Sequence, residues 1–258
     1  MCLLVVAWKA HPRYRLVVAG NRDEFHERPT APLGWWPDEP CILAGRDLRA
    51  GGTWLGVSRA GRFGLVTNFR DANGGTAADA PSRGELVPRF LRGGAGAREC
   101  LEALRAEAAR YAGFNLLLGD REELLYFTNA GDAAPRILPP GIYGISNHRL
   151  DEPWPKLVRT RERFVAALAE PELDNAALAE ILADRTPAAI DPPPDAGLPA
   201  DLERALSAPF VRHNLYGTRC STLVMAGNDG RTVIHELRFD AAGRQQGAGR
   251  IEFMEAAG

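Results

Sequence analysis

The 258-residue chain lacks most of the patterns that announce a function at first sight. Its four cysteines, Cys2, Cys41, Cys100 and Cys220, form no CxxC pair, which excludes the common zinc and c-type haem attachment spacings. The five histidines, His11, His26, His148, His213 and His235, show no close metal-ligand spacing either, so no metal is expected and each reads as a surface or core residue. There is no excess of one charge: 31 Lys and Arg face 33 Asp and Glu, a net charge of −2 that argues against nucleic acid as a partner. No apolar run is long enough to span a membrane, and stable membrane insertion is not expected. The opening stretch, residues 2–8, has no basic region before it and runs directly into Lys9, so it fits neither a signal peptide nor a membrane span. No internal repeat is visible. What remains is an average soluble composition, 45% hydrophobic and 25% charged, in a chain long enough to bury a sizeable core as a single domain over residues 1–258. Scattered cysteines fit a reducing, cytoplasmic compartment.

The order of patterns is strand-rich at both ends. Residues 2–8 and 14–19 are apolar runs separated by Lys9-Ala10-His11-Pro12-Arg13, which predicts a hairpin whose second strand ends in Gly20-Asn21-Arg22-Asp23-Glu24-Phe25. A Pro- and Trp-rich loop is expected over residues 28–40, then a second hairpin from residues 51–58 and 63–68. Residues 70–81 read as a polar, small-residue-rich connection expected to be mobile. Ser82 with Glu85 resembles a capping box at the start of a helix over 83–92, and Cys100, Leu101, Leu104 and Ala108 stand at helical spacing. Strands are expected at 114–118, 124–128 and 141–146, helices at 156–169 and 175–183, and a Pro-rich excursion at 187–199. Strands at 220–226, 232–239 and 250–254 complete the set, with Gly227-Asn228-Asp229-Gly230 a hairpin turn. This hairpin-based order, rather than alternating βαβ units, favours an α+β fold of two antiparallel sheets with helices on their outer faces.

The residue with the most chemical potential is Cys2. A side chain this small is compatible with enzymatic removal of Met1, which would leave one residue holding both a thiol and a free amine. The amine's pKa of roughly 7.7–8.0 lies near the thiol's of roughly 8.5, so it can accept the thiol proton near neutral pH. Nucleophilic catalysis by a residue paired with its own N-terminal amine is an established solution. It requires carbonyl-binding donors converging on Cys2. The ordinary readings of the same residues stand beside this one. A free cysteine is among the most buried residue types. Asp23 and Glu24 would cap a turn or pair with Arg22 and Arg28, Asn68 and Asn147 would be turn residues, and Arg219 would be structural. Gly51-Gly52-Thr53-Trp54 opens a strand with no helix after it, which excludes a dinucleotide site. Trp35 and Trp36 form either an exposed rim for an apolar ligand or a pin that holds their loop to the core.

Met1-Cys2 followed by Asn21-Arg22-Asp23-Glu24 resembles the NRDE family, also known as the transport and Golgi organisation protein 2 family. The resemblance continues through Gly51-Gly52-Thr53-Trp54-Leu55-Gly56, Thr67-Asn68-Phe69-Arg70, Ser82-Arg83-Gly84-Glu85-Leu86, Ser146-Asn147 and Tyr216-Gly217-Thr218-Arg219-Cys220-Ser221-Thr222, in the family's order. That family in turn resembles the cysteine N-terminal-nucleophile hydrolases, such as bile salt hydrolases and penicillin V acylases, which implies a four-layer αββα sandwich. The resemblance makes Cys2 the nucleophile and Asp23, from a segment similar to an Asn-x-Asp turn, the group that orients its amine. It makes Asn68 and Asn147 the oxyanion donors. The hydrolases carry an arginine just before that turn, where this chain has Gly20, with Arg22 inside the segment instead. Arg219 matches a second arginine of those enzymes.

Two functions follow from the resemblance. One is an amidohydrolase or acyltransferase in which Cys2 attacks a small amide or acyl thioester. The other is a non-catalytic ligand-handling protein for haem or for acyl-CoA and lipid homeostasis, using the same pocket. No cofactor is expected under the first, and a haem-like ligand is implied under the second. The sequence does not specify an oligomeric state.

Overall fold

Every residue of β1 (Cys2–Trp8) is buried, because its two faces go to two different cores. Side chains alternate across a strand. Leu4, Val6 and Trp8 point one way, with Leu16 and Val18 of β2 (Tyr14–Phe25), and meet Leu43, Val57, Leu65 and Leu117 of a facing sheet. Leu3, Val5 and Ala7 point the other way, with Val17 and Ala19, onto a layer of helices. An uninterrupted apolar run such as Cys2–Trp8 is what burial on both faces demands.

The computed structural model describes residues 2–70, 79–131, 134–188 and 198–256. Its first sheet has the order β10 (Gly141–Ile145), β1, β2, β11 (Tyr216–Gly227), β12 (Arg231–Phe239), β13 (Gln245–Met254). The second sheet runs in chain order through β3 (Thr30–Trp35), β4 (Ile42–Asp47), β5 (Leu55–Ser58), β6 (Phe63–Asn68), β7 (Phe114–Gly119), β8 (Leu124–Thr128) and β9 (Arg136–Ile137). All pairings within both sheets are antiparallel. Helices α1 (Leu86–Arg92) and α2 (Ala97–Arg105) cover the outer face of the second sheet through Val87, Phe90, Leu101 and Leu104. Helices α3 (Pro155–Leu168) and α4 (Asn175–Leu182) cover the outer face of the first through Leu157, Phe164, Leu178 and Leu182. The result is a four-layer αββα sandwich, as the sequence led us to expect.

Several expected boundaries move, each for a tertiary reason. The second strand runs beyond its apolar stretch to Phe25, and Asn21-Arg22-Asp23 is strand rather than the turn that the resemblance implied, because β1 pairs with β2 as far as Arg22 and β11 as far as Phe25. The Pro- and Trp-rich stretch is not a plain loop but contains β3, whose ladder with β4 is interrupted between Ala31 and Gly34 around Pro32, a residue with no N–H to donate. Trp36 is buried there, and Trp35 meets Phe253 edge to face, so both tryptophans pin their strand rather than forming an exposed rim. Beyond the Pro-rich excursion lies α5 (Ala200–Leu206), a short helix not expected from the sequence, whose Leu206 packs with Val211 and Tyr216. The connection at 70–81 and the excursion at 187–199 fall largely outside the described residues. Among those described, no helix is long and apolar enough to cross a membrane.

Candidate active site

Strand registers alone assemble the site at one end of the gap between the sheets. β1 pairs with β2 so that Cys2 lies opposite Arg22, and β11 places Cys220 opposite Arg22 from the other side. β10 pairs with β1 at Leu4↔Ile145, and two further residues along the chain bring Asn147 beside Cys2. By strand alternation Cys2, Arg22 and Cys220 share the face that looks at the second sheet, where Asn68 ends β6.

Asn147 has φ 59°, a left-handed backbone that asparagine adopts more readily than most residues. That turn sends its side chain back to Cys2: the Cys2 backbone nitrogen donates to Asn147 Oδ1 at 2.8 Å, and Asn147 Nδ2 donates to the Asn68 carbonyl at 3.1 Å. The loop is held from outside by Arg70 N donating to Asn147 O at 2.7 Å and by Asn115 Nδ2 donating to His148 O at 2.9 Å. The Asn147 side chain is therefore occupied as a strut between Cys2 and Asn68. The Asn68 side-chain amide, by contrast, has no hydrogen-bond partner among the described residues and lines the cleft in front of Cys2. Of the two asparagines, Asn68 has the donor available for an incoming oxygen.

Asp23 points to the opposite face of β2 from Arg22, toward the helical layer, and is buried at 2% exposure. The Thr218 hydroxyl donates to its Oδ1 at 2.7 Å, and Tyr216 donates its phenol to the Asp23 carbonyl. Burial pushes the carboxyl above the ordinary carboxylate range, while the charge of Lys156, the Thr218 hydrogen bond and Arg22 pull it back. Lys156 is buried too, its Nζ donating to the Leu206 carbonyl at the end of α5 at 2.7 Å. Burial lowers its ammonium, and the charges of Asp23 and Cys2 act against that. The Cys2 thiol is likewise raised by burial and by Asp23, and lowered by Arg22.

Arg22 and Arg219 have separate fates. Arg22 lies in the cleft with Nη1 at 3.4 Å from Thr30 Oγ1 and Nη2 at 3.8 Å from Glu24. Arg219 sits where the β2–β11 register shifts, between Thr218 and Cys220. The bulge turns its side chain outward onto the carbonyls of Phe25, His26 and Arg28, at 2.9, 3.1 and 3.2 Å. It does not line the cleft. A side chain at Gly20 would crowd its neighbours, since a Cβ would stand 3.0 Å from Leu4 Cβ and 3.3 Å from the Trp54 ring. His148 stacks on Phe69 and does not line the cleft.

The cleft has a volume of about 300 Å³, with Cys2, Arg22, Trp54, Val66, Asn68 and Arg83 among its walls. One side is shaped by the 3₁₀ turn Arg83–Glu85, which Ser82 caps through Gly84 N at 3.3 Å. The Gly51-Gly52-Thr53-Trp54 block approaches that turn so closely that a Cβ on Gly52 would lie 2.2 Å from the Gly84 carbonyl, while Thr53 N donates to the same carbonyl at 2.9 Å. A second cavity of about 530 Å³ adjoins the first and shares Glu24, Asn68, Arg83 and Ala112 with it. Among the described residues no group of three His, Cys, Asp or Glu side chains stands where it could hold a metal ion.

The site residue that sequence reasoning missed is Lys156. The signal was present: Lys156, Thr160 and Phe164 recur every four residues on the buried side of α3, so a lysine was written onto the face that packs on the sheet. It is one of only two lysines in the chain, the other being Lys9.

The sequence profile for transport and Golgi organisation 2 matches residues 1–241. The chain belongs to the transport and Golgi organisation 2 family. Two mammalian members show the extent of the kinship. The mouse transport and Golgi organization 2 homolog is 32% identical over 256 residues, 92% of each chain, and the human homolog is 32% identical over the same shares. Among solved structures, a mutant of the conjugated bile acid hydrolase from Clostridium perfringens superposes with a TM-score of 0.53 at 9% identity, covering 98% of this chain and 92% of that one. That likeness establishes an N-terminal-nucleophile hydrolase-like fold for this member of the family, and at that identity it establishes the fold alone.

Proposed function

We propose that the chain is a cysteine N-terminal-nucleophile amidohydrolase or acyltransferase acting on a small amide or acyl thioester. The observation that carries this reading is the hydrogen bond from the Cys2 nitrogen to Asn147 Oδ1, which fixes the nitrogen required as base while Asn68 keeps an unused amide in the same cleft. With Met1 removed, the Cys2 α-amine takes the thiol proton as sulfur attacks the substrate carbonyl. The oxygen of the tetrahedral intermediate accepts from the Asn68 amide. As the intermediate collapses, the C–N or C–S bond breaks, the ammonium returns the proton to the leaving group, and Cys2 holds the acyl group as a thioester. Water or an acceptor amine then releases it. Asp23 stabilises the ammonium form of the amine, Lys156 supports the ionised form of Asp23, and Arg22 favours the thiolate over the thiol.

One observation favours the second reading, ligand handling without chemistry. Burial raises the Cys2 thiol above its ordinary range, which favours the less reactive thiol over the thiolate. The two readings part on a single comparison. N-acyl amides and acyl thioesters are incubated with the full chain and with Cys2→Ala: the proposal expects turnover only in the parent. Equal turnover in both proteins, or none in either while both bind the ligand, contradicts it.

A further inference from the structure

Five arginines line the two adjoining cavities, and four of them stand within ion-pair distance of a carboxylate of the protein. Arg28 pairs with Asp47 at 2.7 Å, Arg46 holds Asp38 through both Nη atoms at 2.6 and 2.9 Å, Arg70 pairs with Glu203, and Arg22 lies 3.8 Å from Glu24. Arg83 is the exception. Among the described residues its one hydrogen bond is from Nη1 to the Gly113 carbonyl at 2.8 Å, and no carboxylate of those residues stands within ion-pair distance of it. Burial pulls this guanidinium below its ordinary range, the mark of a cation partly stripped of water without a full counter-charge in return. The fields of Glu24 and of Cys2 both reach it, which puts it beside the nucleophile.

Its position relative to the cavities gives this cation a use. Arg83 and Asn68 stand at the seam where both cavities meet. The second cavity is walled largely by apolar groups, Phe69, Leu202, Leu206 and Tyr216, with the exposed Phe25 and Leu198 at its edge. A hydrocarbon acyl group fits that side. Its carbonyl then lies at the seam, between Cys2 and Asn68. An anion next to Arg83 must therefore sit close to the scissile bond rather than at the far end of the ligand. A carboxylate on the carbon that follows the amide nitrogen meets that requirement, and a planar guanidinium fork is the side chain best matched to it.

We infer that Arg83 is a specificity-determining residue that receives a carboxylate adjoining the scissile amide, so that this chain selects N-acyl α-amino acids over neutral N-acyl amides of the same acyl length. The inference rests on the acyl-transfer reading for the place of the carbonyl, and it is tested by binding so that the two stand or fall separately. Full-length Cys2→Ala is titrated calorimetrically with N-decanoylglycine and with N-decanoylethanolamine, which share an acyl chain and differ in the carboxylate. The glycine conjugate should bind about tenfold more tightly or better, the scale of one hydrogen-bonded charge. Adding Arg83→Gln should remove that preference while leaving the ethanolamide's affinity in place, and Arg83→Lys should keep a reduced preference of the same sign. Equal affinity for the two probes in Cys2→Ala, failure of the glycine conjugate to bind, or an equal loss of both probes in Arg83→Gln and Arg83→Lys would overturn the inference, the last by making Arg83 a prop for the Gly113 loop. A carboxylate preference in Cys2→Ala alongside an inert parent enzyme would uphold the inference and reject the catalytic reading.

Discussion

The two faces of β2 at its end have different tasks, though their residues alternate along a single strand. On the face toward the second sheet, Arg22 borders an open cleft and makes only long contacts, 3.4 Å to Thr30 and 3.8 Å to Glu24. On the face toward the helices, Asn21 and Asp23 are held in a closed polar network. Asn21 Nδ2 donates to the carbonyls of Leu182 and Pro209 at 2.8 and 2.9 Å, its Oδ1 accepts from Ser221 at 2.6 Å, and Asp23 accepts from Thr218. A motif of four consecutive polar residues is thus two pairs with separate work. One pair ties β2 to the helical layer and to β11, and the other places a cation and a carboxylate on the wall of the cleft. Buried polar networks of the first kind are costly when incomplete and rigid when satisfied.

Substitutions on the two faces should therefore separate stability from chemistry. The largest effect is expected for Asp23→Ala, which removes the acceptor of Thr218 and the counter-charge of Lys156; a loss of roughly 3–5 kcal/mol is the scale for stripping a buried charge of its partner, read by urea denaturation. Next comes Asn68→Ala. Its amide has no partner among the described residues, so stability should hold while the acyl-transfer barrier rises by about 2.7–4 kcal/mol, the measured scale for an oxyanion donor, read as kcat. Lys156→Met should act through Asp23. Without the ammonium, the Asp23 carboxyl keeps its proton to higher pH, and because the Asp23 charge raises the thiol, the pH profile of Cys2 alkylation moves downward, whereas a purely structural lysine would lower the amplitude without moving the profile. The smallest change in stability, under about 1 kcal/mol, is expected for Arg22→Gln, which breaks only the long contacts with Thr30 and with the partly exposed Glu24. It should still slow alkylation of Cys2 at a given pH, because the thiol loses the cation that lowers it.

The fold was legible in the sequence where local pattern and tertiary role coincide. Residues 2–8 are apolar throughout because both faces are buried, and Gly227 to Gly230 carries the turn between β11 and β12. Pattern failed where pairing overrides propensity. Asn21-Arg22-Asp23 resembles a turn of the hydrolases, yet neighbours on both sides draw it into β2. The bulge at Arg219 is a two-strand property with no mark in a single segment, so its outward turn could not be read in advance. The family resemblance brought Cys2, Asp23, Asn68 and Asn147 forward as a set, and strand register explains why they meet. It did not bring forward Lys156, whose place depends on how α3 lies across the first sheet.

The most direct test is the intact mass and N-terminal peptide of the purified protein after brief exposure to an acyl thioester. The proposed nucleophile requires a chain that begins at Cys2 and carries one acyl group on that residue, absent from Cys2→Ala. A chain that keeps Met1, or one whose acyl group sits on Cys41 or Cys100 while Cys2 stays unmodified, would contradict it.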